Sequence, residues 1–77
     1  MKYNVKAVWD AESKVWVATS EDIPGLATEA DNLEALTTKL RVMIPELMIL
    51  NQIISEDFSG SINFELTTHR QELIKVE

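Results

Sequence analysis

The chain has no cysteine, two glycines, two prolines and one histidine among its 77 residues. Each shortage removes a class of chemistry. Without cysteine there is no disulfide to staple a small core, no thiolate nucleophile and no thiolate metal site. Gly25 and Gly60 are too far apart to form a Gly-rich loop around a phosphate. His69 stands among Thr68, Arg70 and Gln71 with no cysteine to partner it, and reads as a solvated or strand-edge histidine. No apolar run approaches the ~20 residues of a membrane span. The opening segment Met1–Lys6 has no apolar stretch of the secretory type, so the cytoplasm is the expected compartment. Basic residues are scarce too: seven Lys and Arg face thirteen Asp and Glu, a net charge of −6. Phosphate-backbone binding rests on Lys and Arg, so this balance argues against direct nucleic-acid binding. It suits a basic partner, and equally it keeps a small protein soluble.

What is present describes one domain over residues 1–77, with a core in 1–67 and a C-terminal tail, 68–77, that is a short strand, a helical turn or a docking arm. A chain of this size buries only about 60% of the surface its unfolded form exposes. Good packing or self-association must supply the rest of its stability. Tyr3, Val5, Ala7 and Trp9 alternate with Lys2, Asn4, Lys6 and Val8, which predicts a strand. Asp10–Lys14 is polar and turn-like, and Val15–Thr19 is β-branched and aromatic, which predicts a hairpin. A five-residue loop would set Trp9 against Val15, Ala7 against Val17, and Val8 against Trp16 on the opposite face. Trp16 and Val8 would then form an uncovered pair and a candidate partner-binding patch.

The run from Ser20 to Leu36 is dense in structural signals. In Ile23-Pro24-Gly25-Leu26, Pro24 supplies the fixed φ and Gly25 the positive φ of a type II turn. A short strand, Leu26–Ala30, follows. Asp31 then reads as a helix N-cap, with Glu34 three residues on to close a capping box.

From Asp31 to about Leu50, Leu33, Leu36, Leu40, Met43, Leu47 and Leu50 recur at helical spacing and predict a stripe that covers a sheet. Pro45 interrupts this pattern and predicts a kink, because it removes the hydrogen bond to the Arg41 carbonyl. Asn51 is the expected left-handed residue that ends the helix. Val42, Met48 and Ile49 lie off the leucine stripe. A helix apolar nearly all round is normally covered on both sides, so these residues are candidate partner contacts and predict a homodimer. Ile53 and Ile54 are expected under the sheet edge, Ser55–Ser61 as a loop and Ile62–Thr67 as a strand. The expected fold is α+β, ordered β-β-β-α-β, with a mainly antiparallel sheet of three or four strands and one helix on one face.

No catalytic, cofactor or metal site is legible. Asp10, Asp22 and Asp31 could in principle hold a divalent cation, but turn and cap roles explain them. The chain is similar to the HicB-like antitoxin family, and to a short stand-alone subgroup of it. The similarity runs through Val15-Trp16-Val17, Asp22-Ile23-Pro24-Gly25-Leu26-Ala27-Thr28-Glu29-Ala30-Asp31 and Leu33-Glu34-Ala35-Leu36. This resemblance implies a truncated ribonuclease H-like fold. It also implies a non-enzymatic role, binding and masking a small basic HicA-type mRNA interferase. No ribonuclease H catalytic set is found at matching positions, so nuclease activity does not follow from the fold. Such antitoxins commonly carry a DNA-binding domain after this fold; none is visible after the last strand here. The alternative reading is a stand-alone oligomerisation or interaction domain.

Overall fold

The computed structural model describes residues 2–76. Four strands and one helix follow one another as β1 Lys2–Asp10, β2 Val15–Thr19, β3 Ala27–Ala30, α1 Leu33–Leu50 and β4 Asn63–His69. The sheet order is β3-β2-β1-β4. The β1–β2 and β2–β3 pairs are antiparallel, and β4 returns parallel to β1 after the helix. The fold is therefore the α+β, β-β-β-α-β arrangement that the sequence predicts, with one parallel pair. Among the described residues no helix is long and apolar enough to cross a membrane.

The hairpin register differs from expectation by one residue. Trp9 faces Trp16, Val8 faces Val17 and Ala7 faces Ala18. Local hydrogen bonds explain the shift. Asp10 Oδ1 accepts from the Glu12 and Ser13 amides, its carbonyl accepts from the Lys14 amide at 2.7 Å, and Lys14 adopts φ 58°. Asp10 thus ends β1 and starts the turn, leaving four residues, Ala11–Lys14, in the loop. A slip of one residue moves every side chain to the other face. Trp16 accordingly packs on the helix side, 9% exposed, and its ring lies 5.3 Å from that of Trp9. The expected Trp16–Val8 patch does not exist: Val8 remains on the far face, beside Val17.

Val5, Ala7, Trp16, Ala18 and Ala30 of the sheet are buried against Leu36, Leu40, Ile44 and Met48 of α1. These four helix residues lie four apart, so they form a single i, i+4 row. The leucine stripe is therefore only half right. Leu33, Met43 and Leu47 flank the row and Leu50 is exposed, whereas Ile44 and Met48 lie at its centre. Met48, 1% exposed, is a core residue and no partner contact.

The helix ends at Leu50 as expected, but its N-cap and the left-handed residue beyond it each lie one position later than the sequence predicts. The N-cap is Asn32, whose side-chain oxygen accepts from the Ala35 amide at 2.7 Å. Asp31 instead accepts from the Asn32 side-chain amide, and Glu34 places its charge in the first turn, favourable to the helix dipole. At the other end Gln52 takes the left-handed conformation, φ 59°, while Asn51 has φ −90°. Asn51 Nδ2 donates to the Leu47 and Pro24 carbonyls, which ties the Ile23–Leu26 turn to the helix. Gly25 has φ +83° and the Leu26 amide bonds the Ile23 carbonyl, as the type II turn requires. The helix continues unbroken through Pro45.

β2 is shorter than β1, and side chains complete the ladder where it ends. Asp22 Oδ2 accepts from the Asn4 amide at 2.7 Å, and Ser20 Oγ donates to the Asn4 carbonyl at 2.5 Å. Backbone groups that would otherwise lack protein partners are thereby satisfied. Ser20 Oγ also accepts from the Asp22 and Ile23 amides, and Ile23 is fully buried.

Candidate protein-binding surface

The early carboxylates do not converge. Asp10 holds the hairpin turn, Asp22 caps Asn4 and Asp31 contacts Asn32. Among the described residues no three His, Asp or Glu side chains are placed to hold a metal ion. The Asp57 carboxyl is held below the usual carboxylate range, first by the Ser55 hydroxyl, which donates to it at 2.6 Å, and then by its own backbone amide. Both residues belong to an exposed loop, and the interaction orders that loop.

The apolar surface has more definite organisation. Val42 and Ile49, seven residues apart, share the outer side of α1, with Pro45 between them. Val42 is 58% exposed and Ile49 half-buried. Here the expected partner contacts are accessible, in contrast to Met48 and Trp16. Beside them, α1 and the segment after it enclose a cleft of about 350 Å³, walled by Ile44, Pro45, Ile49, Ile54, Phe58 and Phe64. Arg41 and Glu56 are among its polar members. Pro45 has no N–H to offer, so the Arg41 carbonyl lacks its usual i+4 donor within the helix. Phe58 escapes the sequence reading. Its signal is an aromatic residue inside an otherwise polar loop.

The two sheet edges form the other accessible backbone. Asn4 turns its amide and carbonyl toward the β2 side, so odd-numbered β1 residues turn theirs toward β4. With Val5 paired to Leu66 in a parallel ladder, Glu65 and Thr67 bond β1 while Phe64, Leu66 and Thr68 present their backbone groups outward. At the opposite edge Ala27 and Glu29 face out, and the Glu29 carbonyl accepts from Lys39 Nζ at 2.5 Å. Beyond β4, Arg70 lies over the Trp9 ring, 4.4 Å from its centroid, and bonds Glu72 Oε1 at 2.6 Å. The following residues Leu73, Ile74 and Val76 are 91%, 81% and 88% exposed. The tail is thus neither a further strand of this sheet nor a helical turn.

Known proteins resemble the chain along nearly all of its length. The family model for a domain of unknown function, DUF1902, matches residues 2–76. The chain is also similar to the crystal structure of hypothetical protein TTHA1013 from the extremely thermophilic bacterium Thermus thermophilus. The two are 40% identical with a TM-score of 0.74, and the match covers 96% of this chain and all of that one. No curated protein matches it. With a family match spanning all the described residues and a relative of the same size sharing two residues in five, this chain belongs to the DUF1902 family.

Proposed function

We propose that the protein is a non-enzymatic binding module of the HicB-like antitoxin type, which binds and masks a small basic protein of the HicA mRNA-interferase kind. The supporting observation is the outer side of α1. In a chain with net charge −6, Ile49 and Phe58 line an apolar cleft, and Val42 is exposed on the same outer side of the helix. A basic partner would be drawn in by long-range charge and held by apolar contact, a division typical of electrostatically steered complexes. Blocking access of RNA to such a partner requires a complementary surface and no chemistry. The β-β-β-α-β order is the one this type of antitoxin is expected to have.

The test is co-expression with a small basic protein encoded beside this one. Binding at low salt that weakens as salt rises, and that is lost in Val42→Glu/Ile49→Glu with the far-ultraviolet spectrum intact, is the expected result. A double variant that binds as well as the parent would remove the outer helix side from the interface, and with it this reading.

A second reading, a stand-alone self-associating domain, draws on a different observation: the exposed apolar tail after β4.

A further inference from the structure

We infer that the open edge of β4 takes the C-terminal tail of a second copy, so that residues 63–76 of two chains pair antiparallel about a twofold axis at Arg70. The alternation along this segment motivates the register. Phe64, Leu66 and Thr68 point to the helix side of the sheet, in step with Tyr3, Val5 and Ala7. Carried through the tail, the same phase puts Ile74 and Val76 on that side and Leu73 and Lys75 on the other. Centring the pair on Arg70 opposes Leu66 with Ile74, Phe64 with Val76, Thr67 with Leu73 and Glu65 with Lys75. Apolar residues thus meet apolar residues on the core side, and an acid meets a base on the other, twice each by symmetry. Moving the centre to His69 sets Leu66 against Glu72 and Glu65 against Leu73, which loses both matches.

The backbone agrees with this pairing. The outward groups of Phe64, Leu66 and Thr68 oppose those of Val76, Ile74 and Glu72, so the facing residues can exchange both hydrogen bonds. Two arginines meet at the axis, but each is already neutralised by Glu72 and laid over Trp9. Val76 of the second copy would reach Phe64 at the rim of the apolar cleft. One chain folding back to make the same contacts would have to turn within His69-Arg70-Gln71. That run lacks Gly, Pro, Asn and Asp, and turning there would lift Arg70 from Trp9. The occupant is therefore a second copy.

Because the chain has no cysteine, introduced thiols report on this geometry alone. Glu65 and Lys75 would form a non-hydrogen-bonded pair with Cα atoms about 4.5 Å apart, inside disulfide range. The expected results are a particle of twice the 8.7 kDa chain mass by light scattering, and a covalent dimer on mild oxidation of Glu65→Cys/Lys75→Cys. A Glu12→Cys control, on the distant hairpin, should give none. Ile74→Asp/Val76→Asp alters only exposed residues and should halve the mass with an unchanged circular dichroism spectrum. A parent that stays at 8.7 kDa at every concentration, an aspartate variant that remains dimeric, or a double-cysteine variant that fails to cross-link would each overturn the assignment. These readouts need no basic partner, so the antitoxin reading and this one fail separately.

Discussion

The two edges of the sheet are built differently. β3 has four residues, begins straight after a Pro-Gly turn and gives its Glu29 carbonyl to Lys39. Only Ala27 and Glu29 face outward there. β4 has seven residues, no proline and no bulge in its pairing with β1, and leads into apolar residues without cover. Natural proteins blunt exposed edges with short strands, lysines and prolines. One edge of this molecule has the first two of these devices and lies beside the third, while the other edge has none. The β3 edge is closed to further strands, and β4 is the edge built to accept one.

The contrast can be tested at three depths. The largest effect should come from Leu40→Ala, which hollows the core beneath the sheet. A loss of about 2–5 kcal/mol in urea unfolding is expected, with both edges loosened together. If amide exchange accelerated only on the β3 side, the edges would not share one core. Gly25→Ala forces an L side chain into a positive φ and should cost about 1–2 kcal/mol. Its effect should concentrate on amide exchange in β3 and the adjoining turn, leaving β4 little changed. The smallest effect is expected from Lys39→Met, which uncovers the Glu29 carbonyl at a cost of about 1 kcal/mol. Its particle mass should equal that of the parent. New association through β3 would show that one lysine, and not the shortness of the strand, keeps that edge closed.

Much of this architecture is legible in the sequence, because alternation, the Pro-Gly turn and leucines at helical spacing all point to one arrangement. Sequence and structure part where one residue serves two roles. Asp10 belongs to both strand and turn, and assigning it wholly to the loop slips the hairpin by one and turns Trp16 outward. Asp31 and Asn32 are both competent caps, and backbone conformation decides between them in favour of Asn32, with φ −144°. A stripe drawn through leucines alone misses the buried row, which continues through Ile44 and Met48. The parallel return of β4 depends on long-range pairing and has no local signal. Of the proposed contacts, Val42 and Ile49 are accessible, Val8 is half-buried on the uncovered face, and Trp16 and Met48 belong to the core. The pattern of the tail becomes legible when the strand phase of Phe64 and Leu66 is carried on to Ile74 and Val76.

Ser20 and Asp22 stand in for two residues of β2 that the chain does not have, by gripping both backbone groups of Asn4. The two connections flanking β2 should therefore tolerate changes of length unequally. An extra residue at Ser13 would disturb the Asp10-centred turn, whose residues Ala11–Lys14 are all exposed. One placed between Thr19 and Asp22 would pull the borrowed rung away from β1 and unseat Ile23 from the interior.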